Sequence, residues 1–89
     1  MMSDRARTLL ENLRRCPRMF ATTREAFLSR ACGILEVVDV SFNALEFYKK
    51  HAGTDGCRYV TLDKPVDDDW ARDVIDDAMT YVRREDEEG

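Results

Sequence analysis

Between Ala26 and Val38 the chain distributes Ala26, Phe27, Leu28, Ala31, Cys32, Ile34, Leu35, Val37 and Val38 around most of a helix's circumference. A helix apolar on so many sides is stable only when other elements cover it on several sides, so this segment predicts a central helix and requires the rest of the chain to supply its cover. The preceding Thr22-Thr23-Arg24-Glu25 has the Thr-x-x-Glu form of a capping box, which fixes where the helix starts. Gly33 in its interior costs about 1 kcal/mol relative to alanine, and predicts a close approach by a neighbouring helix.

Three other segments have the one-sided pattern expected of covering helices. In the first, capped by Ser3, the positions Ala6, Leu9, Leu10, Leu13 and Cys16 follow the i, i+3, i+4, i+7 rhythm until Pro17 stops it. Glu11 and Arg15 add a weak surface pair, and Met19 and Phe20 are expected as apolar plugs beneath the central helix. Asp39-Val40-Ser41 either carries the central helix on or breaks it so that Ser41 or Asp39 caps another helix, which turns Phe42, Leu45 and Phe47 or Tyr48 inward and ends at Gly53, with Lys49, Lys50 and His51 suiting its C-terminal dipole. In the last helix Asp67, Asp68 and Asp69 occupy the start and Trp70, Val74, Ala78 and Tyr81 form a stripe widened by Ala71, Ile75 and Val82. Arg83 and Arg84 close it. Residues 57–62 favour β structure but have no obvious pairing partner, so a short strand there is an alternative to coil.

With 89 residues the chain has room for one core and too little for an enclosed cofactor beside a separate substrate site. The predicted fold is all-α (mainly α): a compact bundle of about four helices over residues 1–84, followed by an acidic disordered tail at 85–89. No apolar run approaches the roughly 18 residues that span a bilayer, and Met1-Met2-Ser3-Asp4-Arg5 leads directly into amphipathic sequence. A cytoplasmic protein with no membrane partner is the expectation. Cys16, Cys32 and Cys57, 16 and 25 residues apart, match no metal-ligand spacing and leave one thiol over in any disulfide scheme, so buried free thiols are expected and no metal.

Charge is divided along the chain. Residues 1–62 carry ten Lys or Arg against seven acids and residues 63–89 carry eleven acids against four bases, balances of +3 and −7 within the net −4. The dense carboxylates of the last helix favour a basic partner surface over a phosphate backbone. Asp68, Asp69, Asp73, Asp76 and Asp77 are the candidate contact residues, with Glu85 and Glu87 in a mobile steering tail. Nucleic acid is the second candidate partner, through a patch of Arg7, Arg14, Arg15 and Arg18, although the acidic total opposes it. A third arrangement sets the basic half of one copy against the acidic helix of another, giving a homodimer.

Nothing in the sequence assembles a reaction centre. His51 in Lys49-Lys50-His51-Ala52-Gly53 is expected to be exposed, and Asp76 and Asp77, adjacent on one helix, should splay toward solvent rather than converge. Gly33, Gly53, Gly56 and Gly89 do not cluster into a phosphate loop. No catalytic residue and no cofactor are predicted.

Two family resemblances bear on Leu13-Arg14-Arg15-Cys16-Pro17-Arg18-Met19-Phe20 and on Glu36-Val37-Val38-Asp39. Together these segments resemble the opening of the ATP-binding domain of type II topoisomerase B subunits, where Arg-Lys-Arg-Pro-Gly-Met-Tyr precedes a helix carrying Glu-Val-Val-Asp-Asn. The resemblance implies that Glu36 matches the water-activating glutamate. It covers about 27 residues, and Val40 stands where the family has its magnesium-binding asparagine. Arg18 replaces the glycine, and the later nucleotide boxes are absent. The Arg-x-x-Pro-x-Met-aromatic opening is also similar to a group of small uncharacterised bacterial proteins beginning Arg-Pro-x-Met-Tyr and ending in an acidic amphipathic helix, which implies no particular activity. The composite expectation is a non-catalytic inhibitor, of the immunity-protein, antitoxin or phage counter-defence kind, that covers a basic surface of a protein target.

Overall fold

The computed structural model describes residues 2–38, 42–55, 58–59 and 62–88, with residues 2–3, 54–55, 58–59 and 83–88 described by their backbone alone. Five helices and a minimal hairpin follow in the order α1 (Met2–Arg15), α2 (Pro17–Phe20), α3 (Arg24–Val38), α4 (Ala44–Ala52), β1 (Thr54–Asp55), β2 (Arg58–Tyr59) and α5 (Asp68–Glu88). The four longer helices form the mainly α bundle that the periodicity predicts.

α3 is the buried centre. Phe27, Leu28, Ala31 and Leu35 have no solvent exposure, and α1, α4 and α5 all pack on it while α1 and α5 also pack on each other. α1 turns Ala6, Leu10 and Leu13 inward, and α5 contributes Ala71, Val74, Ile75, Ala78 and Val82, all fully buried on one face of the helix. Asp67 caps α5, accepting from the Trp70 backbone N–H at 3.1 Å.

The start of α3 is satisfied by the chain, not by its own capping box. Thr23, one residue later than the predicted cap, accepts from the Ala26 N–H through Oγ1 at 3.2 Å. The N–H groups of Arg24 and Glu25 donate to the carbonyls of Lys64 and Leu62, each at 2.9 Å, and Val66 N–H donates to Thr22 O. The segment 62–66 is thereby laid across the end of α3, with an isolated bridge between Thr23 and Pro65. Val66 enters the core. Trp70 then packs against Phe27 at 5.4 Å between ring centroids, and the Arg24 guanidinium lies over the Trp70 ring, 4.8 Å from its centroid.

Several local expectations are revised. α1 begins at Met2, so Ser3 is a helical residue and not the cap. Glu11 and Arg15 are both exposed and make no ion pair with each other. Pro17 ends α1 but also opens the single turn α2, a position where its missing N–H costs nothing. That turn buries Pro17 and Ala21 and leaves Met19 and Phe20, the supposed plugs, exposed. Asn43 caps α4 by accepting from Glu46 N–H at 3.2 Å; Asp39 and Ser41 lie outside the described residues. Phe47 is buried in α4 while Leu45 faces out.

Gly53, at φ 73°, ends α4 in a backbone conformation that side chains disfavour. β1 pairs immediately with β2, Thr54 with Tyr59 and Asp55 with Arg58. Of the strand considered at 57–62, the described residues show Arg58–Tyr59 paired with the chain just before it; 57, 60 and 61 lie outside the described residues. The tail expected to be disordered from residue 85 is helical through Glu88, consistent with the high helix propensity of glutamate. Arg83 and Arg84 consequently do not form the last turn.

Gly33 does not mark a close helix approach. A Cβ built there meets nothing within 4 Å. Gly33→Ala should therefore stabilise the protein by about 0.5–1 kcal/mol, whereas Leu28→Ala should cost about 2–5 kcal/mol, both read from urea unfolding; a destabilising Gly33→Ala would contradict this packing.

Candidate functional site

The acidic face of α5 is largely engaged within the molecule. Asp76 accepts from Arg14 Nε at 3.0 Å and Asp68 meets Arg18 at 3.4 Å, so the basic residues of α1 and α2 face the acids of α5 in the same chain. These opposite charges meet within one molecule. Asp69 is highly exposed and reaches only Arg72, at 3.9 Å. Asp73 is exposed and has no ion pair among the described residues. Glu85 and Glu87 lie on the last turns of α5, and their side chains are outside what is described.

Asp77 departs furthest from expectation. It turns inward, with its side chain 20% exposed, and its Oδ2 lies 2.8 Å from Nε2 of His51, itself only 10% exposed. Lys50 Nζ donates to the other carboxylate oxygen at 3.2 Å. The His51 ring packs 4.6 Å from Phe47, and the His51 carbonyl accepts from Trp70 Nε1 at 2.8 Å. His51 is thus not exposed, and among the described residues its ring is engaged by Asp77 and Phe47 and by no nucleophile. It is a joint between the end of α4 and the middle of α5, and Asp76 and Asp77 diverge because 100° of helix rotation sends one to Arg14 and the other to His51.

The predicted basic patch is correspondingly reduced. Arg14 and Arg18 have carboxylate partners, and Arg7 lies 3.6 Å from Asp4. Arg15 is exposed and makes no ion pair among the described residues. Among the described residues no group of His, Cys, Asp and Glu could hold a metal ion. Cys16 and Cys32 are free thiols; Cys57 is outside the described residues. Burial, with the Glu36 carboxylate adding to it, pushes the Cys32 thiol up to about 12, so it remains protonated and non-nucleophilic at neutral pH. Glu36 is exposed on α3.

A different feature was missed by sequence reasoning: an open groove of about 570 Å³ between α1 and α3. Its walls are apolar, with Leu9 and Leu13 from α1, Ile34 and Val37 from α3, and Phe20 from α2 at one end. Leu9 is 42% exposed and Val37 58%. Arg5 and Arg30 flank these walls, and Gly33 lowers the α3 side because it carries no side chain. The signal was present in sequence as stripes on two helices, each wider than the core requires; pattern alone assigns Leu9 and Val37 to the interior. Contiguous exposed apolar side chains of this kind mark interaction surfaces.

No protein-family model matches this chain, and neither a curated protein nor a solved structure matches it. The two resemblances noted above therefore rest on their own residues. No helix among the described residues is long and apolar enough to cross a membrane.

Loss of the inward Asp77 should be felt in stability and loss of the outward Asp73 should not. Asp77→Asn is expected to cost about 1.5–3 kcal/mol, the range for hydrogen bonds to charged groups, and Asp73→Asn less than about 0.5 kcal/mol. Urea unfolding of the two variants checks this, and equal effects would contradict the assignment of Asp77 as a structural joint.

Proposed function

We propose that this chain is a non-catalytic protein-binding module of the inhibitor kind, and that it docks through the apolar groove between α1 and α3. The exposed Leu9, Phe20 and Val37, with the half-buried Ile34 between them on the groove wall, are the observation that carries the reading. Anchors of this kind supply most of the energy of an interface, while charges at a rim govern encounter and discrimination. The acidic outer face of α5 is the weaker docking candidate because Asp68, Asp76 and Asp77 already have partners in this chain. Asp69 and Asp73 remain for steering.

Such a module fits an immunity protein, an antitoxin or a phage counter-defence protein acting in the cytoplasm, since each works by occupying a surface and not by turning over a substrate. The engagement of His51 by Asp77 and the protonated state of Cys32 support the non-catalytic part of the proposal. Nucleic acid has less support, because Arg14 and Arg18 would have to exchange carboxylates of this chain for phosphates.

Peptides selected from a random library against the native chain should shift the methyl resonances of Leu9, Ile34 and Val37. The double variant Leu9→Asp, Val37→Asp should weaken those peptides at least about tenfold, as expected when apolar anchors are lost, while its circular dichroism and melting temperature stay near those of the parent. Binders that instead perturb the amides of Asp69 and Asp73, and that the double variant leaves unaffected, would overturn the groove as the docking face.

A further inference from the structure

We infer that the groove between α1 and α3 takes an amphipathic helix of a different protein, one whose apolar stripe is flanked by acidic residues. This rests on the proposal that the groove is the docking face and adds the chemistry of its occupant.

The length of the groove sets the first condition. Its lining runs from Arg5 to Leu13 on α1 and from Ser29 to Val38 on α3, about 12 and 13.5 Å at 1.5 Å per helical residue. Two to three turns of helix fill that length, which places three anchors at i, i+4 and i+7 against Leu9, Ile34 and Val37. Gly33 offers a low wall where the backbone of an incoming helix can pass, because no atom lies within 4 Å of the place its Cβ would occupy.

The flanks set the second condition, and they reverse the sign suggested by the net charge. Among the described residues, Arg5 and Arg30 are the charged ones lining the groove, and no carboxylate of theirs lines it. Both are exposed and, unlike Arg14 and Arg18, neither makes an ion pair among the described residues. The acids of α1 and α3 lie elsewhere: Asp4 is held toward Arg7, and Glu11, Glu25 and Glu36 do not line the groove. A partner that places Asp or Glu on both sides of its stripe meets two uncommitted guanidiniums.

The same charges disfavour a second copy as occupant. Groove against groove would bring four guanidiniums together, and α5, whose acids have the right sign, already buries the apolar stripe it would need as anchors.

Two synthetic helical peptides test this, identical in Leu anchors at i, i+4 and i+7 but flanked by Glu in one and Lys in the other, with binding to the full chain measured by fluorescence anisotropy. The Glu-flanked peptide should bind about tenfold tighter or better at low salt, as expected for several rim charge pairs acting together, and the advantage should shrink at high salt. Arg5→Glu with Arg30→Glu should reverse the preference. Equal binding of both peptides, or tighter binding of the Lys-flanked one, overturns the acidic partner while leaving the groove intact. Binding of neither peptide overturns the groove as well. A dimer by sedimentation that Val37→Asp converts to monomer overturns the distinct partner in favour of a second copy.

Discussion

Enclosure of α3 is the constraint on which the rest of this molecule depends. Phe27, Leu28, Ala31 and Leu35 are completely withdrawn from water, each large side chain among them contributing about 1.5–3 kcal/mol, and no single neighbour can cover a helix that is apolar on so many sides. α1, α4 and α5 must therefore all be amphipathic and must all reach it. The chain between α4 and α5 has its own task, since the carbonyls of Leu62 and Lys64 complete the hydrogen bonding at the start of α3. Where this cover runs out, α3 still carries Ile34 and Val37, and α1 still carries Leu9. The groove is the unclosed part of the same requirement, so the candidate docking face follows from the core and needs no separate architecture.

Electrostatics arranges the bundle more than it stabilises it. Arg14 with Asp76 and Arg18 with Asp68 are solvent-exposed pairs, of a kind contributing about 0–1 kcal/mol each. Their consequence is to match the positive side of α1 and α2 to the negative side of α5, so that much of the charge division along the sequence is spent within one molecule. Asp77 differs because it is largely sheltered and bridges His51 and Lys50. Together with the Trp70 indole on the His51 carbonyl, it fixes the end of α4 against α5. Against this background, Arg5 and Arg30 stand out as positive charges beside an apolar channel, without carboxylate partners among the described residues.

The sequence made the architecture legible because apolar periodicity reports which side of a helix must be buried. The stripe of α1 through Leu10 and Leu13, the nearly all-round apolarity of α3, and the α5 stripe through Val74 and Ala78 each led to the observed element. Periodicity does not report how close a neighbour comes, and that is why Gly33 was expected in a contact and Leu9 and Val37 in the core. Caps were misplaced by a residue or two where tertiary partners intervened: Thr23 rather than Thr22, because the 62–66 segment docks there, and Asn43 ahead of α4. The acidic site suffered from the same blindness. Charge composition identifies a carboxylate but not the arginine or histidine that a fold will bring to it, so Asp68, Asp76 and Asp77 read as free contact residues when each already had a partner.

We take this module to meet its partner across α1 and α3 and not across the acidic side of α5. Photo-crosslinking in the native host distinguishes the two faces, with benzoylphenylalanine placed at position 37 in one variant and at position 73 in another. A discrete protein adduct is expected from position 37 and none from position 73. An adduct from position 73 alone would contradict that assignment.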